Sequence, residues 1–230
     1  MEPKDFNKAI DAILDKQCDT PWNKSTLVGI SGIDGSGKGY VTKQLADHLQ
    51  MHNVNAISIG IDGWLNLPPV RFNPNNPAEH FYENALRFDQ MFSELVLPLK
   101  NNRRVSIAAD YTEETAIGYR RQDYQFEDVD VILLEGIYLF KPAYRDFFDL
   151  KIWIDCTFET ALERALRRGQ EGLATAETIQ AFNAIYFPAQ RIHFAKDNPQ
   201  TAADLVIVND DRLANAKHAK PNVYAAAMLF

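Results

Sequence analysis

The chain has 230 residues, of which 46% are hydrophobic, 31 are acidic and 24 are basic, and its formal net charge is -7. This length and composition suit one α/β domain with a sizeable core, spanning residues 1–230, and exclude a disordered or fibrous protein. Binding to a phosphate backbone needs clustered positive charge, so an acidic chain with only small basic clusters excludes nucleic acid as the main partner.

The cysteines and the apolar stretches predict the compartment. Cys18 and Cys156 lie far apart in the sequence, which favours a reducing environment with neither a disulfide framework nor a zinc site. Residues 4–16 have the spacing of an amphipathic helix and not the apolar stretch of a signal peptide. The most apolar stretch, 129–140, is interrupted by Glu135 and is too short to span a bilayer. We expect a soluble, cytoplasmic protein without membrane contact; a homodimer stays open.

The first quarter of the chain alternates between helix and strand patterns. After the helix over 4–16, a short β-branched run predicts a buried parallel strand over 26–30. A glycine-rich loop over 32–38 follows, and apolar residues then recur at helical spacing over about 38–52. A second strand is predicted over 56–61, ending at an aspartate.

The middle of the chain contains a long loop, a helix and a hairpin. Proline and asparagine are dense over 63–77, which predicts a loop at the ligand crevice beyond the second strand. Helical spacing returns over 77–97, and Pro98 is expected to end that helix. Residues 104–121 read as a hairpin or flap, and 129–134 as a strongly apolar strand.

The last third repeats the alternation. A strand is predicted over 150–155, a helix over 157–168, a second helix over 176–195 that breaks near Pro188, and a final strand over 203–208. The tail to residue 230 is expected to be helix or loop. Strands that alternate with helices predict an α/β fold of three layers, in which helices cover both faces of a mostly parallel sheet.

The glycine-rich loop has the spacing G-x-x-x-x-G-K between a strand and a helix. Glycines allow backbone N–H groups to surround phosphate oxygens, and the positive end of the following helix points at the same anion. Lys38 is expected to reach the β- and γ-phosphates. The predicted nucleotide contacts in this loop are Gly32, Asp34, Gly35, Ser36, Gly37, Lys38, Gly39 and Tyr40.

One position departs from the usual phosphate-loop pattern. Gly39 stands where that pattern has a Ser or Thr hydroxyl that holds Mg²⁺. Mg²⁺ keeps several waters and takes ligands from carboxylates and substrate phosphates, so a water can fill the position. A degenerate loop that binds nucleotide poorly is the alternative.

Two acids close predicted strands. Glu135 ends the most hydrophobic strand, where a carboxylate is either a group near Mg²⁺ and the phosphates or a surface residue. Asp62 ends the second strand, where it is either the base that accepts the proton of the acceptor hydroxyl or an aspartate that starts a turn. Two acids at strand ends beside a phosphate loop predict a phosphotransferase, with both acids able to contact the metal.

Basic and aromatic residues supply further candidates. Arg164, Arg167 and Arg168 fall on one predicted helix, where they either form a lid over the transferred phosphoryl group, at about 164–175, or pair with surface glutamates. The flap either holds acceptor hydroxyls, through residues such as Asp110 and Arg121, or is a solvated hairpin. The candidate substrate contacts in the loop after Asp62 and in the flap are Trp64, Arg71, Tyr111 and Arg120.

These motifs together resemble the P-loop kinases of the uridine kinase, phosphoribulokinase and pantothenate kinase superfamily. The matching parts are GISGIDGSGKG, the strand end at Asp62, VILLEGIYLF, DLKIWIDC, ERALRR and AADLVIVND, over about residues 25–210. The resemblance implies a P-loop NTP hydrolase-type fold and ATP-dependent phosphorylation of a hydroxyl on a nucleoside, sugar or similar metabolite. It also implies that Lys38 contacts phosphates, Asp62 acts as base, Glu135 serves Mg²⁺ and the arginines, with Arg168 catalytic, form a lid.

The chain also differs from this superfamily. Gly39 is one difference. Uridine kinases have aromatic residues after the aspartate, where this chain has Asp62-Gly63-Trp64-Leu65. They also have a Tyr-Asp pair where this chain has Tyr111-Thr112. The glycine loop is also similar to that of thymidylate kinases, whose acceptor is a phosphate; Arg71 and Arg120 would then bind it. The alternatives are therefore a nucleoside monophosphate kinase, and a nucleotide-binding regulator without kinase activity.

Overall fold

The computed structural model describes residues 4–169 and 172–216. Its centre is a five-stranded, fully parallel sheet, whose strands are β1 (Thr26–Gly32), β2 (Ala56–Gly60), β5 (Val131–Gly136), β6 (Leu150–Asp155) and β7 (Leu205–Val208). Their order in the sheet is β2-β5-β1-β6-β7, with the phosphate-loop strand in the middle. The remaining strands, β3 (Val105–Tyr111) and β4 (Arg120–Phe126), form a separate antiparallel hairpin.

Helices connect the strands. The helices of the described residues are α1 (Lys4–Asp19), α2 (Lys38–Met51), α3 (Pro68–Arg71), α4 (Pro77–Asn84), α5 (Phe88–Met91), α6 (Leu97–Asn102), α7 (Phe158–Arg168), α8 (Thr175–Ala181), α9 (Phe187–Asp197), α10 (Pro199–Ala202) and α11 (Asp211–Ala216). Short 3₁₀ turns occur at Ile61–Trp64 and Arg145–Phe147. The predicted tail after 216, and residues 170 and 171 of the predicted lid, lie outside the described residues.

The sheet is buried on both faces because its strands alternate two sets of apolar side chains. Val28 and Ile30 of β1 face α1 and α2, in a core of mostly aliphatic residues. Leu27 of β1 and Trp153 of β6 face the opposite core, which is rich in aromatic residues from α4 to α9. The predicted three-layer α/β fold is therefore confirmed.

The predicted helix end at Pro98 is wrong, and the break predicted near Pro188 takes the form of a π-helical turn. Pro98 does not end its helix: α5 continues through a π-helical turn, Phe92–Val96, into α6. Pro188 lies in the same context, just after the π-helical turn Phe182–Tyr186 that joins α8 to α9. A π-helical turn widens the backbone ahead of the ring, which relieves the clash and the missing N–H that otherwise break a helix at proline.

The helix predicted over 77–97 is also divided earlier. It stops at Asn84, and the chain then forms an isolated bridge between Leu86 and Leu65 before α5 begins. This bridge fixes the segment after Asp62 against the helical layer.

Candidate active site

The phosphate loop is shaped by its glycines. Gly35 and Gly37 have φ angles of 77° and 87°, in the left-handed region where other residues are strained. A Cβ atom on Gly35 would lie 2.5 Å from the carbonyl oxygen of Ala161. Gly37 is the N-cap residue of α2, and no side chain caps that helix. The first amides of α2 therefore point into the loop with the geometry that binds phosphate.

Two side chains clamp the outer side of this loop. The carbonyl oxygen of Ser36 accepts hydrogen bonds from Arg164 Nη1, at 3.0 Å, and from Asn209 Nδ2, at 2.8 Å. Arg164 Nη2 also donates to the carbonyl oxygen of Asn209, at 2.9 Å. Arg164 thus supports the loop from behind. The sequence reading missed Asn209, although the residue directly follows the last strand of the sheet.

Lys38 lies at the start of α2 and is buried. Its Nζ atom donates to the carbonyl oxygen of Ile33, at 2.9 Å, across the loop. The carboxylates of Asp62 and Glu135 both interact electrostatically with this ammonium group. The cation is therefore fixed to the loop and lies close enough to both acids to interact with their charges.

Glu135 reaches this point through the register of the sheet. It pairs with Ile30 of β1 on one side and with Gly60 of β2 on the other. A Cβ atom on Gly39 would lie 3.8 Å from Glu135 Oε1, so the carboxylate stands beside the position of the missing hydroxyl. Burial raises the pKa of Glu135 to about 7, a rise that Lys38 opposes and that Asp62 reinforces.

Asp62 lies in the 3₁₀ turn that directly follows β2. The turn packs closely on β5, because any side chain at Gly136 would collide with Ile61. The Asp62 side chain contacts solvent. Its pKa is nevertheless raised, mainly by the surrounding protein and also by the charge of Asp34, while Lys38 opposes the rise. Both carboxyl groups therefore hold a proton more readily than in water, and a bound cation would favour their charged forms.

This donor set fits Mg²⁺ bound together with a nucleotide. Within the described residues, no three His, Cys, Asp or Glu side chains lie close enough to hold a metal ion by themselves. Mg²⁺ normally takes one or two carboxylates and completes its shell with phosphate oxygens and water. Glu135 and Asp62 can supply those carboxylates, and a cavity of about 370 Å³ opens beside Glu135, Gly39 and Gly60.

The three predicted lid arginines do not share one target. Arg168 lies 3.6 Å from Asp34 of the phosphate loop, and its charge also reaches Asp62 and Glu135. Arg167 points outward: its side chain is 76% exposed, and it pairs with Glu163 at 3.8 Å. For Arg167 the structure thus shows the surface pairing that was the alternative.

The predicted flap is the β3–β4 hairpin, and the end of β3 lies against the turn that carries Asp62. The Thr112 amide donates to the carbonyl oxygen of Gly63, at 3.1 Å, and the Tyr111 ring leaves no room for a side chain at Gly63. Arg120 stacks on the Tyr111 ring, with 4.2 Å from its guanidinium carbon to the ring centre. Arg120 is exposed and pairs with Glu113 at 3.4 Å. Tyr111 and Arg120 therefore both lie near the turn.

Two other substrate candidates are buried, and Tyr40 is exposed. Trp64 has 0% exposure and lies between Arg87 and Tyr124, so we do not retain it as a substrate contact. Arg71 is 2% exposed, beneath the tip of the hairpin. Tyr40, just after the phosphate loop, accepts a hydrogen bond from Gln44 at 3.0 Å.

Arg87 and Tyr138 have positions that the sequence reading missed. Arg87 donates to the carbonyl oxygens of Leu65 and Asp110, at 3.3 and 2.7 Å, and so joins the segment after Asp62 to the hairpin. Tyr138 is fully buried and has a φ angle of 61°, and its hydroxyl has no partner. A strained residue near Asp34 marks a constrained wall of the site.

A larger concave surface of about 1250 Å³ lies at the opposite edge of the sheet, where β1 and β5 begin. Trp22, Arg104 and Gln125 are among its lining residues. It is remote from the phosphate loop, so size alone does not identify the site. Among the described residues, no helix is both long and apolar enough to cross a membrane.

The comparisons with known proteins agree with this geometry. The model of the phosphoribulokinase/uridine kinase family matches residues 27–184. The chain belongs to this family. It is 29% identical over 147 residues to a uridine kinase of Staphylococcus haemolyticus, covering 63% of this chain and 68% of the relative. It is 30% identical over 149 residues to a uridine kinase of Staphylococcus aureus, strain Newman, with shares of 63% and 68%.

Solved structures show the same fold. A possible uridine kinase from Bacillus stearothermophilus superposes with a TM-score of 0.67 at 20% identity, covering 87% of this chain and 98% of that one. A D-glycerate 3-kinase from Cryptococcus neoformans superposes with a TM-score of 0.61 at 14% identity, covering 89% and 95%. As a member of the phosphoribulokinase/uridine kinase family, the chain is a small-molecule kinase, a phosphotransferase with a hydroxyl acceptor. The match ends before Asn209, so the clamp on Ser36 uses a residue outside it.

Proposed function

We propose that this kinase transfers the γ-phosphoryl group of ATP to a hydroxyl of a small metabolite, with Mg²⁺ as cofactor. One observation carries the proposal: the uncapped start of α2, Lys38 and the carboxylates of Asp62 and Glu135 converge at one edge of the sheet. Phosphoryl transfer needs little covalent chemistry from the protein, because positioning and charge stabilisation supply most of the rate.

Each group has a task that follows from its surroundings. The loop amides and Lys38 hold the β- and γ-phosphates and withdraw charge as it develops. Asp62 contacts solvent and lies beside the hairpin, so it orients the acceptor hydroxyl and accepts its proton. Glu135 is the deeper acid and supplies a metal ligand. Glu135 and Asp62 would hold Mg²⁺ together with the nucleotide, and the ion would neutralise part of the phosphate charge.

The remaining contacts control charge and access. Arg168 lies beside Asp34 of the phosphate loop, at 3.6 Å, where its charge can neutralise the transferred group. Tyr111 and Arg120 form the hairpin side of the acceptor site.

The free thiols of Cys18 and Cys156 support the cytoplasm as the compartment. We also propose that residues 1–230 form one kinase domain.

A substrate screen tests the proposal. The protein is incubated with ATP and Mg²⁺ against nucleosides, sugars, glycerate and pantothenate, and products are identified by mass. We expect one phosphorylated alcohol, and a loss of its formation by about 10³-fold or more in Lys38→Met, which keeps the stem but removes the ammonium group. Lys8→Met, on the exposed side of α1, is the matched control. ATP binding without any phosphorylated product would contradict the proposal.

A further inference from the structure

Arg71 is the least satisfied charged side chain near the candidate site. It ends α3, nine residues after Asp62, and is 2% exposed. Its Nη2 atom donates to the carbonyl oxygen of Glu114, whereas Nε and Nη1 have no hydrogen-bond partner. Since Nε carries one N–H and Nη1 carries two, three of the five N–H donors lack an acceptor.

The only carboxylate paired with Arg71 among the described residues is loosely placed. Glu114 Oε1 lies 3.8 Å from Nη2, which is too long for a hydrogen bond. The guanidinium otherwise lies over the ring of Phe72, at 5.0 Å. A buried guanidinium with three unpaired N–H donors is costly, and the cost is reduced when an anion binds in its plane. The structure therefore presents a cation that is prepared for an anion but weakly paired.

This cation lies on the acceptor side of the site. Glu114 follows Thr112 by two residues, and the Thr112 amide bonds to Gly63, next to the candidate base. Tyr186 donates to Glu114 Oε1 at 3.4 Å and interacts electrostatically with Tyr138, which in turn senses Asp34 of the phosphate loop. Arg71 thus lies against the same hairpin loop that contacts the turn of Asp62.

We propose that Arg71 is the anion subsite of the acceptor, so that the substrate carries a carboxylate or a phosphate in addition to the hydroxyl that is phosphorylated. The anion takes the donors of Nε and Nη1 in planar hydrogen bonds, and the side chain of Glu114 moves away to admit it. This inference rests on the proposed function. It narrows the acceptor class to anionic metabolites and disfavours neutral nucleosides and free sugars.

Matched pairs of acceptors test this on the unmodified protein. Each pair differs by the anion: D-glycerate and glycerol, pantothenate and panthenol, ribose 5-phosphate and ribose. With saturating ATP and Mg²⁺, we expect at least one anionic member to exceed its neutral partner in kcat/KM by about 10- to 100-fold. The pair concerned distinguishes a carboxylate from a phosphate. Equal or better turnover of the neutral member in every productive pair overturns the subsite.

Variants separate binding from folding. Arg71→Met keeps the stem and removes the donors, so kcat/KM should fall 10- to 100-fold for the anionic member alone. Arg103→Met, which removes an arginine paired with Asp130 at 2.7 Å near the opposite edge of the sheet, should alter neither member. Glu114→Gln removes the resident carboxylate and should lower KM for the anionic member several-fold. An equal loss on both members in Arg71→Met identifies a structural residue and overturns the proposal.

Calorimetry distinguishes this failure from failure of the proposed function. D-glycerate, pantothenate and ribose 5-phosphate are titrated into the protein with Mg²⁺ and a non-hydrolysable ATP analogue. Binding that Arg71→Met abolishes supports the subsite even if no acceptor is phosphorylated. Phosphorylation of neutral acceptors alone retains the kinase and excludes the subsite. Absence of both heat and turnover with all three anions also overturns it.

Discussion

Asp62 and Glu135 lie close to the same lysine but have different surroundings. Glu135 is held inside the sheet between β1 and β2, whereas Asp62 sits on a turn beside the hairpin. The deeper acid can contact a metal at the phosphates, and the outer acid can contact a diffusing acceptor. Their environments therefore separate the two roles, although both residues are carboxylates.

Asp62→Asn should lower kcat by about 10²-fold or more, because the amide cannot accept the proton of the hydroxyl. KM for ATP should stay within about twofold, since Lys38 and the loop amides are unchanged. Initial rates of ADP formation with the acceptor from the screen provide the measurement. Asp146→Asn, at the 93% exposed side chain of the 3₁₀ turn Arg145–Phe147, is the control. A kcat equal to that of the unmodified protein would remove Asp62 from the role of base.

Gly39→Ser should lower the half-saturating Mg²⁺ concentration about fivefold, because the added hydroxyl contributes about as much free energy as one hydrogen bond, about 1 kcal/mol. The new Cβ would lie 3.8 Å from Glu135 Oε1, which is ordinary contact, so the serine fits. The measurement is the rate against Mg²⁺ at fixed ATP. Gly118→Ser, where nothing lies within 4 Å, is the matched control. No change in the Mg²⁺ dependence would show that water already fills this position.

Some of these residues could be predicted from the sequence and others could not. The loop from Gly32 to Lys38 is one continuous segment whose residue spacing is set by phosphate binding, so it can be recognised from the local sequence. The tasks of Asn209 and Arg87 depend on which distant carbonyl oxygens they meet. The spacing of apolar residues along the chain does not predict such long-range hydrogen bonds. Trp64 was expected to contact substrate for the same reason, since the sequence does not show that Tyr124 of the hairpin covers its ring.

At the scale of single elements, the start of α2 depends on support from two other elements. Arg164 of α7 and Asn209 after β7 both hold the carbonyl oxygen of Ser36. The loop is therefore preorganised before nucleotide binds. Preorganisation matters because a mobile loop would lose conformational entropy on binding.

Asn209→Ala should weaken ATP binding about fivefold, as expected for the loss of one hydrogen bond of about 1 kcal/mol, and leave kcat nearly unchanged. Asn102→Ala, which removes a bond to the carbonyl oxygen of Pro98 in α6, is the matched control. ATP affinity is measured by calorimetry without acceptor. An unchanged affinity, with normal folding, would show that Arg164 alone holds the loop.

Helix α9 contains a buried titratable pair. His193 Nδ1 lies 2.6 Å from Asp197 Oδ2, which also accepts from Tyr82, and Lys141 and Tyr138 pack nearby. Burial lowers the pKa of His193 below 6.5, although Asp197 opposes the shift. Burial raises the pKa of Asp197, but hydrogen bonds from His193 and Tyr82 outweigh it and give a net lowering. Both native groups therefore bind protons more weakly than the unfolded chain does.

The free energy of unfolding should consequently fall as pH drops below about 6.5, by at most about 1.4 kcal/mol per pH unit for each proton. His193→Gln should reduce this slope between pH 6.5 and 5, since it removes one titrating group. Urea unfolding at several pH values gives the measurement, with the exposed His52→Gln as control. The same slope in His193→Gln and in the unmodified protein would contradict the assigned pKa direction.

Helix ends could be predicted from the sequence except where a π-helical turn is present. The end of α7 followed from Gly169, whose φ angle of 62° suits a C-cap. Pro98 predicted a helix end and Pro188 a break, yet each follows a π-helical turn that the residue pattern does not reveal. Such turns depend on the packing of the helix against the sheet, which a one-dimensional pattern does not contain.

At the scale of the whole molecule, the order of the strands assembles the site. Lys38, Asp62 and Glu135 are separated by 24 and 73 positions along the chain, yet β1, β5 and β2 are neighbours. All three strands end at the same edge because the sheet is parallel. Alternating strands and helices predicted this sheet, but the alternation did not predict the hairpin's contact with Asp62 or the burial of Arg71.

The most direct test of this arrangement is a crystal structure with Mg²⁺ and a non-hydrolysable ATP analogue. The triphosphate should lie on the amides from Gly35 to Gly39, with Lys38 Nζ within hydrogen-bond distance of the γ-phosphate. Mg²⁺ should lie beside Glu135, and Asp62 should face the γ-phosphorus from the hairpin side. A nucleotide bound elsewhere, or a γ-phosphate with Asp62 and Glu135 both turned away from it, would contradict the account.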